Sequence, residues 1–398
     1  MRILCVTPFY PNKFNSYAGI FVENLNKALI NEGCNIDVIT AKPYCPLILT
    51  GFKAKWKDEK NLPYEEMVNG IKVKRITIIR LPKNLMSNSL FYLDKYSLKL
   101  ENSNLSNKYD LIVAHTLFSG GVWANELSKR LGIPYVVFAH GSDVNFYCEN
   151  YKNIRKKCKQ VIEESETTYG VSKYLTEKVN NLSECGKGKL HYIGIDSKQF
   201  VIIDKDKARN LTRLENKFTI LYIGNLLESK GIKILLEAFL EVNKSYTDLQ
   251  LVIVGDGALK PWITNFIEEN RLKSVVLAGQ QKHDEIPKYI GASDMVVLPS
   301  FNEGLSHVLI EAHMMAKPCI ATKVGGIPEI VVQGKTGELI EPNNAPALAS
   351  AIIKMREKVD LDSMGKLARE TVLNKFELSN NTKKLVRDFE EIITKHKR

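Results

Sequence analysis

The chain has 398 residues, of which 44% are hydrophobic and 25% charged, and it carries a formal net charge of +11. This is ordinary globular composition, which excludes disordered, collagen-like and coiled-coil chains, and the length predicts two or three domains. No run approaches the roughly 18 apolar residues of a spanning helix, and prolines break the first apolar stretch, so we expect neither a membrane span nor a signal peptide.

Residues 1–200 alternate short apolar runs with segments of helical period. The apolar runs are typical of buried parallel strands, and Gly33 ends the first helical segment. The elements predicted here are, in chain order, a strand in 1–9, a helix over 19–32, strands at 35–40 and 110–115, a helix over 120–131 and a strand at 135–140. This alternation predicts a doubly wound parallel sheet.

The same alternation restarts at residue 218 and predicts a second sheet. Its elements are a strand at 218–225, a helix over 231–243, strands at 249–257, 275–279, 295–300 and 318–322, and helices over 345–357, 360–375 and 378–396. The polar, weakly patterned stretch 197–216 is predicted to link two domains. We therefore expect an α/β protein with domains at 1–200 and 201–377, followed by a helix at 378–398.

Ligands of open parallel sheets bind beyond the carboxyl ends of the strands, and the most informative polar segment follows such a strand. In PSFNEGLSHVLIEAHMMAKP, Glu303 and Glu311 are separated by seven residues, the first in a loop and the second in a predicted helix. The helix is predicted over 305–315, with free amides at Gly304, Leu305 and Ser306. Such amides bind hydroxyl or phosphate oxygens, and the carboxylates can accept bonds from a sugar and a ribose diol. A capped, solvated helix start is the alternative.

Other polar or glycine-containing segments also follow predicted strands or precede helices. Gly325 and Gly326 would let backbone approach a ligand, and Lys230 would reach a diphosphate. A plain turn and a solvated lysine are the alternatives. In the first half, His140 can serve as an acid, base or hydrogen-bond donor, or be a satisfied core histidine, and Gly19 precedes a helix whose amides could face a phosphate.

Two D-x-D triplets are interpreted as surface charge, although this pattern can hold a divalent metal–nucleotide complex. One is Asp204–Asp206 in the predicted linker, and the other is Asp360–Asp362 in a C-terminal helix. Neither follows a strand. No His, Cys or Asp cluster has metal-ligand spacing, so no metal site is predicted.

Together, these segments resemble the family 4 glycosyltransferases over nearly the whole chain. The resemblance rests on AHGSD (139–143), GNLLESKG (224–231), VGDG (254–257), the segment 299–318 and VGGIPEIV (324–331). It implies retaining, metal-independent transfer on the GT-B fold, in which two Rossmann-like domains face each other across a cleft and a C-terminal helix packs on the first. The segment FYPNKFNSYAGIFVENLNKAL is similar to members that build bacterial surface polysaccharides such as teichuronic acid, capsule or lipopolysaccharide.

The resemblance also implies roles for single residues of the second domain. Glu303 would bind the donor sugar, and Glu311 the ribose of the nucleotide. The donor-binding amides would be those of Gly304, Leu305 and Ser306. Lys230 would neutralise the diphosphate.

Two positions of the first domain take roles from the same resemblance, and one position of the second departs from it. His140 would lie under the donor sugar near the reacting carbon, and Gly19 would leave room for the diphosphate. Many members have Arg where this chain has Asn225, which would face the donor phosphates without supplying charge. Lys230 would then act with a cation from elsewhere.

The sequence therefore predicts a retaining glycosyltransferase of the hexosyltransferase type that requires no cofactor and no metal. Its partners would be a nucleotide-diphosphate-sugar donor and a glycan or lipid-linked saccharide acceptor. A nucleotide-sugar epimerase of the same fold is the alternative. A basic nucleic-acid-binding module is disfavoured, and no nucleic acid is expected, because the basic residues are not interleaved with stacking aromatics.

The positive charge lies mainly in residues 1–200, which favours an anionic partner or, equally, a solvated basic surface. One basic cluster comprises Lys53, Lys55, Lys57 and Lys60 around Trp56, and another comprises Arg155, Lys156, Lys157 and Lys159. Between them, segment 85–100 places apolar residues near helical spacing. We expect a cytoplasmic protein that docks on the inner face of the cell membrane, unless 85–100 packs on its own domain.

Overall fold

A computed structural model describes residues 1–43, 58, 61–78 and 108–397. The chain forms two compact units, each built around its own sheet. Segment 85–100 and the basic cluster around Trp56 lie outside the described residues.

The first unit consists of Met1–Ile193 together with Ser379–Arg398, and the second of Gly194–Leu378. The first unit is thus assembled from two separate stretches of chain. The second is continuous. The boundary expected after residue 200 falls inside the second unit.

The first sheet has eight strands within the described part of the chain. They are β1 (Arg2–Thr7), β2 (Asn35–Pro43), β3 (Glu65–Val68), β4 (Ile71–Ile78), β5 (Leu111–His115), β6 (Tyr135–Ala139), β7 (Thr167–Gly170) and β8 (Gly188–Leu190). Their order is β3-β4-β2-β1-β5-β6-β7-β8, and all neighbours are parallel except β3 and β4. The described helices that accompany these strands are α1 (Ile20–Asn31), α2 (Val122–Leu131), α3 (Lys152–Glu164) and α4 (Lys173–Leu182).

The second sheet is entirely parallel, in the order β11-β10-β9-β12-β13-β14. Its strands are β9 (Phe218–Ile223), β10 (Leu249–Val254), β11 (Val275–Gly279), β12 (Met295–Leu298), β13 (Cys319–Thr322) and β14 (Gly337–Ile340). The helices of this unit are α5 (Lys205–Thr212), α6 (Ile232–Ser245), α7 (Lys260–Glu269), α8 (Ile286–Ala292), α9 (His307–Met314), α10 (Ala345–Lys358) and α11 (Leu361–Phe376). Both units therefore have the Rossmann-like architecture that the alternating pattern predicts.

The central strands are mostly apolar because both faces of a parallel sheet are covered by helices. Every residue of β5, β6, β10 and β12 is buried. Several of the helices bury one face only, although α9 is buried from Leu309 to Met314. In α6, for example, Leu235, Phe239 and Val242 are fully buried. The prediction of buried parallel strands is confirmed in both units.

The last helix, α12 (Leu378–His396), joins the first unit from Ser379 onwards. Leu385 and Phe389 are fully buried, and the ring of Phe389 meets that of Tyr169 edge to face at 6.3 Å. Asp388 accepts a hydrogen bond from Lys189 Nζ at 2.7 Å. The expected return of this helix to the first domain is confirmed.

The stretch 197–216 is not a linker, because it lies inside the second unit. Its polar pattern conceals helix α5, which packs against α8 with Ala208 next to Gly291. The buried Arg209 donates to the Lys217 carbonyl oxygen at 2.6 Å. A charged side chain at a buried helical position hid the apolar face that would have shown the helix.

Both D-x-D triplets are helix starts. Asp204 caps α5 by accepting a hydrogen bond from the Lys207 amide, and Asp360 caps α11 by accepting from the amides of Asp362 and Ser363. Aspartate is a preferred residue at such positions because it satisfies amides that the helix leaves unpaired. The spacing of the triplets therefore reflects capping.

Candidate functional site

Three strand-end loops of the second unit interlock through glycines. A Cβ on Gly231 would overlap the carbonyl oxygen of Pro299, and a Cβ on Gly325 would overlap that of Glu303. Both glycines have positive φ, +67° and +54°, a conformation that other residues rarely adopt. The loops after β9, β12 and β13 are thereby held together at the carboxyl edge of the sheet. The close approach expected at Gly325 is to the backbone of this chain.

Lys230 and Glu303 meet at this edge. The Lys230 Nζ lies 2.6 Å from Glu303 Oε1, which also accepts a hydrogen bond from Ser300 Oγ at 2.9 Å. The Glu303 side chain is 10% exposed and that of Lys230 is 27% exposed. Charge-assisted hydrogen bonds of this kind are strong when partly shielded from water. Lys230 and Glu303 therefore place a positive and a negative charge side by side at the carboxyl edge of the sheet.

The backbone that follows Glu303 carries three amides that donate no hydrogen bond within the described chain. Gly304, Leu305 and Ser306 are buried, and the described chain offers no hydrogen-bond acceptor to their amides. Helix α9 begins only at His307, two residues later than predicted, because Ser306 is extended with φ −88° and ψ 106°. Backbone amides need an acceptor, either water, protein or ligand. These three amides are therefore able to donate to the oxygen atoms of a ligand.

Glu311 lies further along α9 and faces a different partner. Its Oε1 is 3.1 Å from His283 Nε2, and the two side chains are 6% and 24% exposed. Burial alone would lower the pKa of His283, but the hydrogen bond and charge of Glu311, with the charge of Asp284, raise the pKa above its usual value. Burial lowers the pKa of the neighbouring His307, although the Glu311 charge opposes this. The Glu311 carboxylate thus lies close to two imidazoles, those of His283 and His307.

Asn225 stands where many members of the resembling family have arginine, and its side chain is exposed. Its backbone carbonyl accepts a hydrogen bond from the Tyr222 hydroxyl at 3.0 Å. Burial, and next the charge of Glu303, raise the pKa of Tyr222. Among the described ion pairs, Lys230 is the sole cation that contacts Glu303.

In the first unit, His140 follows β6 and contacts a second histidine. Its Nε2 lies 3.0 Å from Nδ1 of His115, and its ring is 4.5 Å from that of Phe21. His115 is fully buried, and burial lowers its pKa to about 3, so it is neutral at ordinary pH. His115 stacks on Phe138 at 5.2 Å, which fixes its ring plane.

The loop that carries His140 is braced by a buried carboxylate. Asp143 is fully buried and accepts hydrogen bonds from the amides of Leu117, Gly141 and Val144 at 2.8, 2.9 and 3.1 Å. Burial raises the pKa of Asp143, and the three amides act in the opposite direction. Asp143 therefore connects the loops after β5 and β6.

Gly19 occupies the position before α1. Its φ is +71°, and a Cβ would lie 2.5 Å from the Phe9 carbonyl oxygen. Both observations require glycine for the turn itself. No ligand needs to be invoked to explain why this residue is present.

The structure brings Lys230, Glu303 and Ser306 to one edge of the second sheet and leaves Gly19 and His140 in the first unit. Two residues that were not predicted as part of the site, Ser300 and His283, hydrogen-bond to the two predicted glutamates. His283 follows β11, so the strand-end rule could have found it. Nothing in the sequence marked Ser300 as a partner of Glu303.

Metal-ligating side chains do not cluster in either unit, as far as the described residues extend. No group of three or more His, Cys, Asp or Glu side chains there is placed to hold a metal ion. The site is instead composed of a lysine, carboxylates, imidazoles and backbone amides. Such groups bind anions and hydroxyls.

Comparison with known families assigns both units to glycosyltransferases. Residues 18–196 match the family described as Glycosyltransferase Family 4, and residues 204–371 match Glycosyl transferases group 1. The putative teichuronic acid biosynthesis glycosyltransferase TuaC of Bacillus subtilis is 30% identical over 398 residues, covering 98% of this chain and 99% of the relative. The UDP-Gal:alpha-D-GlcNAc-diphosphoundecaprenol alpha-1,3-galactosyltransferase of Escherichia coli is 28% identical, covering 70% and 74%.

Solved structures share the fold. Sucrose-phosphate synthase from Thermosynechococcus elongatus superposes with a TM-score of 0.81 and 21% identity, covering 99% of both chains. Anabaena HepE in complex with UDP has a TM-score of 0.75 and 18% identity, covering 98% of this chain and 100% of that one. At these identities the likeness concerns the fold.

Proposed function

This chain belongs to the glycosyltransferases, with a family 4 first domain and a group 1 second domain, and we propose that it is a retaining, metal-independent hexosyltransferase. Its donor is a nucleotide-diphosphate sugar, and its acceptor is a glycan or lipid-linked saccharide of bacterial polysaccharide synthesis. The full-length similarity to TuaC supports the pathway. The E. coli relative, named for a UDP-galactose donor and a diphosphoundecaprenol acceptor, supports the substrate classes.

The observation that carries the proposal is the edge of the second sheet after β12. There, a carboxylate paired with a lysine precedes three buried residues, Gly304, Leu305 and Ser306, whose amides donate no hydrogen bond within the described chain. The amides suit sugar or phosphate oxygens, and Lys230 suits a diphosphate. HepE, which shares the fold, was crystallised with UDP and with UDP-glucose.

In the proposed reaction, the bond between the anomeric carbon and the diphosphate oxygen breaks, and a bond to the acceptor oxygen forms on the same face. The acceptor proton passes to the leaving phosphate oxygen, and a nucleoside diphosphate departs. Lys230 stabilises the negative charge that develops on this oxygen. Glu303 holds the sugar and Glu311 the ribose. His140 is assigned to the reacting end of the donor sugar, with its ring oriented by the neutral His115.

The stereochemistry of the product tests this proposal. We expect an α-linked donor to give an α-linked product, observed by NMR of the anomeric proton, at an unchanged rate in the presence of a metal chelator. Inversion would exclude the retaining mechanism. Loss of activity in chelator that magnesium or manganese restores would exclude metal independence. An epimerised donor formed without acceptor would establish the epimerase alternative.

Membrane docking is a further part of the proposed function, although no described helix is long and apolar enough to cross a bilayer. Four basic residues of helix α3 are exposed, namely Lys152, Arg155, Lys156 and Lys159. The apolar face of the same helix, with Ile154 and Cys158, is buried in its own unit. The basic face is therefore available to an anionic surface.

Neutralising this basic face should weaken binding to anionic vesicles. Each basic residue near such a surface contributes about 1 kcal/mol, so changing Arg155, Lys156 and Lys159 together to glutamine should lower the partition coefficient by roughly 100-fold. Co-sedimentation with phosphatidylglycerol vesicles at low salt measures it. The matched control changes three exposed lysines of the second unit, Lys244, Lys260 and Lys358. Equal losses in both triple variants would show a non-specific charge effect and contradict docking by α3.

A further inference from the structure

The proposed function gives no role to the hydrogen bond between His283 and Glu311. His283 opens the short helical turn His283–Glu285 after β11, whereas Glu311 lies on α9. The two side chains come from separate elements and meet at 3.1 Å. The contact is therefore a product of the tertiary fold.

Glu311 depends on this contact for its orientation. Its side chain is 6% exposed, and within the described residues His283 is the sole side chain that hydrogen-bonds to its carboxylate. A buried carboxylate without such a partner is costly and free to rotate. His283 thus both compensates the burial of the charge and selects one orientation of the carboxylate.

The geometry leaves the carboxylate able to bind two more donors. A carboxylate has about four acceptor positions, and His283 occupies one of them on Oε1. The remaining positions, on both oxygens, match the two adjacent hydroxyls of a ribose. Because Nε2 faces a carboxylate, it must carry the proton in the neutral imidazole as well as in the charged one. The hydrogen bond therefore persists on both sides of the histidine's titration.

His283 is itself held in place. The Phe200 ring meets it edge to face at 5.6 Å. The charged and titratable groups around it are Glu311 and His307 from α9, and Asp284 from its own turn. The Phe200 ring therefore packs against the imidazole that reaches Glu311.

We propose that His283 is a positioning residue that aims the Glu311 carboxylate at the ribose diol of the donor nucleotide, so that this pair sets the preference for ribonucleotides over 2′-deoxyribonucleotides. The inference deepens the proposed function and rests on it. His283 does not touch the nucleotide in this scheme; it acts through Glu311.

The test measures nucleotide binding to the full chain by isothermal titration calorimetry. UDP, ADP and GDP are titrated first, and the one that binds wild type most tightly is then compared with its 2′-deoxy counterpart. We expect wild type to prefer the ribonucleotide by about 10–100-fold, the range of a hydrogen bond to a charged group. His283→Ala should reduce this preference to about threefold or less, with little change in affinity for the deoxynucleotide.

Further variants separate positioning from folding. His283→Gln, whose amide nitrogen can replace Nε2 as a donor, should restore most of the preference. Glu311→Gln should abolish the preference, and the double variant His283→Ala, Glu311→Gln should be no worse, because the two residues act as one unit. Asp284→Asn is the matched control, since this exposed neighbour does not contact the carboxylate and should leave the preference within twofold.

The outcomes distinguish the inference from the function on which it rests. An unchanged preference in His283→Ala, or an equal loss of affinity for both nucleotides, overturns the positioning role and leaves glycosyl transfer intact. Wild type without a preference for the ribonucleotide does the same. Wild type that binds none of the three diphosphates contradicts the proposed function itself.

Discussion

Replacing Lys230 by methionine is expected to lower kcat by about 10²–10³-fold, the effect of removing one group that stabilises charge in a transition state. The substitution keeps the length of the side chain but removes the cation proposed to face the leaving diphosphate. It also leaves the Glu303 carboxylate, 10% exposed, without its ionic partner. Removing one partner of a shielded pair is more costly than removing both.

The diagnostic readout is the contribution of the second phosphate to nucleotide binding. Wild type should bind a nucleoside diphosphate more tightly than the monophosphate, and Lys230→Met should lose this difference. Lys233→Met is the matched control. Lys233 lies three residues after Lys230 in the chain, and its Nζ pairs with Glu228 at 3.0 Å instead of with Glu303. If Lys230→Met keeps kcat within threefold and still prefers the diphosphate, Lys230 does not contact the leaving group.

Replacing Glu303 by glutamine should lower kcat by about 10–100-fold, with a smaller change in KM for the donor. Glutamine can still accept the hydrogen bond from Ser300, so the loop should persist. What is lost is the charge that strengthens hydrogen bonds to the sugar hydroxyls, worth about 1.5–3 kcal/mol. Because the reacting sugar is held more tightly in the transition state, the loss falls on turnover.

Steady-state kinetics of Glu303→Gln beside Glu311→Gln separates the two carboxylates. Glu311→Gln should raise KM for the donor with a smaller effect on kcat, since the ribose does not react. Glu241→Gln, an exposed glutamate paired with Lys244 at 2.6 Å, is the control and should match wild type. Near-normal kinetics in both site variants would show that the two carboxylates bind neither sugar nor ribose.

The variants should also be coupled. Combining Lys230→Met with Glu303→Gln removes both charges, so the double variant should unfold at a higher temperature than Lys230→Met alone. A lower unfolding temperature in the double variant than in Lys230→Met would mean that an unpaired Glu303 carboxylate does not destabilise the fold. Thermal unfolding monitored by circular dichroism gives this comparison independently of any substrate.

The fold was predictable because its strands and helices repeat a pattern that can be recognised in short stretches of sequence. Runs such as LIVA in β5 and VVFA in β6 are apolar throughout, as is typical of parallel strands covered on both faces. Helix α5 was missed for the opposite reason. It is short and polar, and its inward positions include Arg209, whose charge is satisfied by the Lys217 carbonyl and lies 3.7 Å from Asp294.

The candidate site was predictable in its location but not in its contacts. Strand ends placed Lys230 and Glu303 near the same edge, yet they are separated by 73 positions, and only the folded sheet shows that they form a pair. The partner of Glu311 was overlooked because a single histidine after a strand has no distinctive spacing. Which amides after Glu303 are left free by the helix depends on where α9 begins. Helix boundaries are the least predictable part of a fold, so the sequence could not fix these amides.

A ribosome makes the first unit in two parts separated in time. Residues 1–193 emerge first, the whole second unit follows, and only then does α12 appear. At about 5–20 residues per second, roughly 10–40 s pass in which the first sheet lacks the helix that places Phe389 against Tyr169. The continuous second unit can complete its fold in that interval. In a nascent chain paused before α12, the second unit would be folded while the first still exposed the apolar surface that α12 covers. Chaperones bind surfaces of this kind.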